Sequence, residues 1–168
     1  MGLRDRALAA LYDRLTAPAE RRWLGEARRH LLGGLAGRVL EIGAGTGANF
    51  RYYPPHVRVT AIEPSSHFLR RARLKLAEAQ ATIELRQADA QALPFGDDAF
   101  DGAVATLVFC TVPDPLRVLA EVRRVTVAGG PLLLIEHVRA STAGRRLLQN
   151  MGNPCQKILA GGCHLNRD

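Results

Sequence analysis

Apolar positions near the N-terminus recur at helical spacing: Leu8, Leu11, Tyr12 and Leu15 share one face. Proline is tolerated only in the first turn of a helix, so Thr16 to Pro18 is expected to interrupt it. A second helix through Trp23 and Leu24 should run to Leu32 and stop at Gly33-Gly34. Beyond Gly37 the pattern changes to short apolar runs alternating with helical stripes. Strands are expected at residues 38–42 (RVLEI), 57–62 (VRVTAI), 82–88, 101–108 and 131–138 (PLLLIEHV). Pro64-Ser65 opens a helix with Phe68, Leu69, Ala72 and Leu76 on one face. Asp114 caps another, with Pro115 at its first position and a stripe of Val118, Val122 and Val125. Ser141 caps a last helix, which is expected to break at Gly152 to Pro154.

Strands separated by helices of ten or more residues pair in parallel through right-handed crossovers. Strands that read as continuous apolar runs belong to a sheet covered on both faces. The expected fold is α/β: a three-layer αβα sandwich around a doubly wound, mostly parallel, Rossmann-like sheet. Residues 1–168 read as one domain, with a helical cap at 1–37, a ligand-binding core at 38–139 and a helical segment at 140–168.

Composition narrows the class. A chain of 168 residues with 47% hydrophobic and 23% charged residues is globular in type. No apolar stretch approaches the roughly 18 residues of a membrane span. The N-terminus carries charges every few residues and lacks a signal-peptide core, so a cytoplasmic protein is expected. The formal net charge is +7, with Arg supplying 21 of the 23 basic residues. Such a balance attracts anions. The arginines are scattered in pairs, however, and no block of five or six like charges appears, so solvated helix faces are the simpler reading and nucleic acid is not an expected partner. Three cysteines are too few, and odd in number, for a disulfide framework. They lack CxxC spacing. Cys155, Cys163 and His164 form only a weak cluster, so no metal is expected. Cys110 reads as a packed thiol and the other two as thiols near the surface.

The chemistry begins at Gly43-Ala44-Gly45-Thr46-Gly47, directly after the first strand. Glycines there allow a sharp turn and close approach of backbone to a ligand. The G-x-G-x-G spacing differs from the G-x-G-x-x-G of dinucleotide-binding loops, so nicotinamide cofactors are not expected. Glu63 ends the second strand, where a doubly wound sheet meets a ribose and a carboxylate can accept from both hydroxyls. Asp89-Ala90 lies just past the third strand, where a carboxylate can accept from an adenine amine. The alternative for Asp89 is an Asx-turn.

Taken in order, VLEIGAGTG, AIEPS, ADAQALPF, FDGAVATL and GGPLLLIEH resemble the class I S-adenosylmethionine-dependent methyltransferases over residues 38–139. The similarity is greatest to the small-molecule, ubiquinone/menaquinone-type branch. Within it, GANFRYYPP, TLVFCTVPDP, IEHVRA and GCHLNRD are similar to the methyltransferase-like seven proteins, which act on thiols. The resemblance implies S-adenosyl-L-methionine as cofactor and assigns roles by position. Gly43, Ala44, Gly45 and Gly47 would lie under its methionine part, and Glu41 would reach its amino group, directly or through water. Glu63 would hold the ribose, with Pro64 and Ser65 beside the adenosine, and Asp89 and Ala90 would hold the adenine. Thr106 and Leu107 would face the sulfonium. Thr126-Val127-Ala128-Gly129-Gly130 departs from the family's Pro-Gly-Gly turn.

Methyl transfer from a sulfonium needs alignment more than a nucleophilic residue. His137, beside Glu136 at the end of the fifth strand, is the candidate general base. Tyr12 and Trp23 could cover the substrate pocket or serve as core anchors. The expected reaction is transfer to a small, apolar acceptor: a thiol, a quinone-like ring or a lipid amine. The alternatives are an RNA- or protein-directed methyltransferase and a non-catalytic nucleotide-binding module. The family's sheet carries two further strands after the fifth. Residues 140–168 show no strand pattern of that length, so a partial form of a longer protein is expected. Otherwise strand five should pair with another subunit, giving a homo-oligomer, or be covered by residues 140–168. Gly161-Gly162 and the closing GCHLNRD read as a loop entering further structure.

Overall fold

Side-chain parity along the first strand sets the architecture. In β1 (Arg38–Ile42), Val39 and Glu41 point to one face and Leu40 and Ile42 to the other, and all four are buried. Only a sheet covered on both sides can bury such a strand. The computed structural model, which describes residues 3–159 and Cys163, has that arrangement. β1 pairs in parallel with β2 (Arg58–Ile62) and with β4 (Gly102–Thr106). β3 (Thr82–Arg86) pairs outside β2, and β5 (Leu132–Ile135) outside β4. The order β3-β2-β1-β4-β5 reverses direction between β1 and β4, which opens a crevice at the carboxyl ends of these strands.

One core packs Leu32, Leu35, Val39, Phe50, Tyr53 and Val59 on the face of the sheet to which Glu41 points. The other packs Leu40, Ile42, Ile62, Ala103 and Ala105 against the valine stripe of α4 (Pro115–Val125). Val118, Val122 and Val125 are each at most 3% exposed, and each contributes about 1.5–3 kcal/mol. Asp114 caps α4 by accepting from the Arg117 N–H at 3.1 Å, as its sequence predicts. α3 spans Ser66–Lys75.

Two expected helix breaks do not occur. α1 (Leu3–Ala19) runs through Pro18 into a π-helical turn at Glu20–Leu24 and then α2 (Gly25–Leu32). Pro18 forfeits one backbone bond, and the wider turn that follows carries the chain on without a loop. α5 (Ala143–Leu159) likewise runs through Pro154. Several strands end earlier than their apolar runs: β4 stops at Thr106 because Leu107 takes a left-handed conformation, φ 60°. β5 is an edge of the sheet, and α5 adds no strand beside it among the described residues. The Gly161-Gly162 loop and most of GCHLNRD lie outside the described residues; only its Cys163 is described.

Candidate active site

The crevice holds a cavity of about 430 Å³, within the size range of small-molecule sites. Its floor is the turn after β1. Gly43 and Gly45 both have positive φ, 63° and 56°. They are glycines for different reasons. A Cβ on Gly43 would strike the Val108 side chain at 2.6 Å, so that glycine serves packing within the protein. A Cβ on Gly45 would meet nothing closer than the Gly43 carbonyl at 3.9 Å, and Gly45 lines the cavity. The space beside Gly45 is left open for something else.

Glu63 stands across from this turn, 8% exposed. Its Oε2 accepts from the Gly45 N–H at 3.0 Å and its Oε1 from the Ser65 N–H at 2.9 Å. Burial raises its pKa, and the two backbone donors oppose that rise. Each oxygen keeps a lone pair, so the carboxylate can still accept from a pair of hydroxyls. Ser65 also lines the cavity, and its Oγ is buried without a hydrogen-bond partner. Asp89 forms the Asx-turn, accepting from the Gln91 N–H at 2.9 Å, and still lines the cavity with its exposed carboxylate. Its two readings are therefore compatible: the turn aims the side chain. Pro64, Ala90, Thr106 and Leu107 complete the predicted set on the wall.

Four predicted residues are not brought there. Ala44 and Gly47 lie behind the turn; a Cβ on Gly47 would strike the Phe50 ring at 2.6 Å. Glu41 is fully buried, its Oε1 accepting from Asn49 Nδ2 at 2.9 Å and its Oε2 from the Tyr53 hydroxyl at 3.0 Å. Burial pushes its pKa up to about 7 against these donors and the nearby Arg28. Arg28, itself buried, donates to Asn49 Oδ1 and, at 2.8 Å, to Thr106 Oγ1, where the network meets the cavity. His137 does not line the cavity. Its Nδ1 lies 3.3 Å from Cys163 Sγ, a contact that raises its pKa against the opposing effect of burial. Cys163 is buried at 4% exposure, which corrects the expectation of a surface thiol. The fold sets its sulfur against that of Cys110.

Leu8 and Tyr12 of α1 and Phe68 of α3 form the apolar wall; Tyr12 and Phe68 meet edge to face with centroids 5.5 Å apart. Tyr12 thus covers the cavity, whereas Trp23 is about half exposed and stands off it. Burial raises the Tyr12 hydroxyl to about 12, so it stays protonated. The loop after β4 is held by Glu136, whose Oε1 accepts from the Val108 and Phe109 N–H groups at 2.7 and 2.8 Å. That bracing offsets the left-handed backbone of Leu107, a conformation that costs about 1–2 kcal/mol for a residue with a Cβ. Glu136, Arg28, Asn49 and Tyr53 escape the sequence reading. The available signal was Glu41 itself: an acid on the inward face of an apolar strand demands buried donors.

An open glycine turn, a shielded carboxylate with spare lone pairs and an unpartnered buried hydroxyl suit the methionine and ribose parts of S-adenosylmethionine. Comparison with known proteins agrees. Residues 40–134 match the family model described as a methyltransferase domain. The chain is 38% identical over 143 residues to the human thiol S-methyltransferase TMT1B, covering 82% of this chain and 59% of that protein. It is 44% identical over 103 residues to the phosphatidylethanolamine N-methyltransferase of Cereibacter sphaeroides, covering 60% of this chain and 51% of that protein. The chain therefore spans little more than half the length of these relatives. The YcgJ protein of Bacillus subtilis shares the fold, with a TM-score of 0.69 at 22% identity over 86% of this chain and 62% of that one.

Proposed function

The chain belongs to the class I S-adenosylmethionine-dependent methyltransferase family, and from that premise we propose that it transfers a methyl group to a small apolar acceptor, a thiol in the first instance. The observation that carries the reading is the pairing of Gly45 and Glu63: open space over the turn, faced by a carboxylate two backbone donors hold in place. Bound there, S-adenosylmethionine supplies an activated methyl group on a sulfonium, a good leaving group already. Glu63 would accept from the ribose hydroxyls and Asp89 from the adenine amine, with the Gly43–Gly45 backbone against the methionine part. Thr106 and Leu107, at the end of β4, line the cavity where the sulfonium would be held. Leu8, Tyr12 and Phe68 exclude water and offer an apolar surface to the acceptor. The chain's task is to hold donor and acceptor in line, about 3–3.5 Å apart.

Support for a thiol comes from the apolar wall and from likeness to the thiol S-methyltransferases; the phosphatidylethanolamine N-methyltransferase supports a lipid amine as the second reading. A panel of alkyl thiols, phosphatidylethanolamine vesicles, quinols and RNA, scored by release of S-adenosylhomocysteine, tests both. Turnover with thiols is expected. Turnover with RNA alone would overturn the small-molecule reading, and failure to bind S-adenosylmethionine by calorimetry would overturn the function as a whole.

A further inference from the structure

Beside the cavity, and outside the site described above, three groups converge that no expectation from the sequence joined. Cys110 follows β4, His137 follows β5, and Cys163 comes from beyond α5. Cys163 Sγ lies 3.3 Å from Cys110 Sγ and 3.3 Å from His137 Nδ1. One donor atom from each of the three lies within 4.8 Å of the other two. We propose that Cys110, His137 and Cys163 form a zinc-binding site.

Tetrahedral zinc with bonds of about 2.3 Å to sulfur and about 2.0–2.1 Å to nitrogen sets its ligand atoms roughly 3.5–3.8 Å apart. The two separations from Cys163, both 3.3 Å, reach that geometry through adjustments of about half an ångström or less. Two thiolates and an imidazole are a soft donor set, which selects zinc over magnesium or calcium. Both sulfurs are buried, at 2% and 4% exposure. Two thiolates neutralise the charge of a divalent zinc ion, which makes its burial affordable. Thiols left protonated there would be weak hydrogen-bond donors shut away from water. The cradle is also braced: Glu136, next to His137, accepts from the Cys110 N–H at 3.3 Å as well as from Val108 and Phe109. A carboxylate that fixes the backbone of one ligand and adjoins another is the outer support that metal sites use.

Among the described residues the cluster has three ligands, not four. The loop bearing Cys110 also contributes Val108, Thr111 and Val112 to the cavity wall. The cluster therefore adjoins the methyl-transfer cavity, while metal binding does not depend on methyl transfer taking place.

The test is metal content of the reduced protein, purified without affinity metals, given one equivalent of zinc and dialysed. About one zinc per chain is expected by mass spectrometry of the metal. Cobalt in its place should give the sulfur-to-metal charge-transfer band and the visible bands of a tetrahedral thiolate site. Cys163→Ser should lower zinc affinity by at least about 100-fold, more than loss of an outer support costs, with the circular dichroism of the sheet retained. His137→Ala should keep the charge-transfer band but weaken binding. Wild-type protein that retains no zinc, or Cys163→Ser protein that retains as much as wild type, overturns the proposal. So does an intact mass two hydrogens low, with Cys110 and Cys163 joined in one peptide after reduction and re-isolation, since a disulfide would occupy both sulfurs.

Discussion

Glu41 and Glu63 occupy nearly corresponding places on neighbouring strands, one inside β1 and the other just past β2, yet they face different worlds. Glu41 has parity with Val39 and points into the core, where Asn49 and Tyr53 donate to it. Glu63 sits where the strand has ended and the backbone is free to turn it toward the cavity, anchored by Gly45 and Ser65. Both carboxylates are buried and both have raised pKa values, with burial the leading cause. Burial and a shifted pKa therefore do not distinguish a carboxylate that builds the fold from one that meets a ligand. What distinguishes them is whether open space remains in front of the oxygens.

Replacing Glu41 tests the structural half of this contrast and should have the largest effect. Glu41→Ala strips the acceptor from Asn49 and Tyr53, at about 1–3 kcal/mol for each buried group left unpaired. A fall in the melting temperature of roughly 10 °C is expected at pH 8. A variant that melts within a degree or two of wild type would show the network to be ornamental. The isosteric Glu41→Gln isolates the charge. The native state holds the Glu41 proton up to about pH 7, while the unfolded chain releases it near 4.5. Stability should therefore decline as pH rises through that window, by roughly 3 kcal/mol at most, and be spared that loss below it. In Glu41→Gln this decline should disappear; an unchanged pH profile places the ionisation elsewhere.

Gly45→Val tests the cavity half from the turn. The side chain would enter the space facing Glu63, and a β-branched residue at φ 56° adds backbone strain. S-adenosylmethionine binding should fall more than about 100-fold, or roughly 3 kcal/mol, in a protein that still folds by circular dichroism. Normal titration of a folded variant would mean that the turn does not cradle the cofactor.

Glu63→Ala should lose less melting temperature than Glu41→Ala, because water entering the cavity can accept from the Gly45 and Ser65 N–H groups, but its affinity for S-adenosylmethionine should fall tenfold to a hundredfold, from hydrogen bonds worth about 1.5–3 kcal/mol. If the two variants show the same pattern, the distinction between them collapses. The smallest effect belongs to Asp89→Ala, where an exposed carboxylate loses one hydrogen bond to adenine worth about 0.5–1.5 kcal/mol, or twofold to tenfold in affinity. Replacing adenine by a purine without the amine should then cost the wild type as much and the variant nothing further, as read by competition binding.

Much of this arrangement is legible along the chain, because it depends on local periodicity and on turn chemistry. The apolar runs place all five strands, and Asp114-Pro115 places the start of α4, since parity, capping and the fixed φ of proline are properties of a few consecutive residues. The glycine turn and Glu63 are legible for the same reason: in a parallel sheet, whatever follows a strand arrives at one edge. Proline was a poorer guide. At Pro18 and Pro154 the local cost of one lost backbone bond is real, but the helices run on, at Pro18 through a π-helical turn.

The tertiary structure alone decided what lies opposite each of these groups. Glu41, Asn49 and Tyr53 are close in sequence, yet their partner Arg28 comes from α2, and nothing in its neighbourhood of charged residues marks it for burial. Cys110, His137 and Cys163 are separated by intervals that carry no paired spacing, and their meeting depends on β4, β5 and the chain beyond α5 arriving together. Sequence thus determined the strands, their ends and the turn that opens the crevice, all short-range consequences of backbone geometry and side-chain parity. Which carboxylate is sealed, which faces open space and which thiols converge are long-range outcomes of packing, because burial is a property of the whole sheet and its layers rather than of any residue's neighbours along the chain.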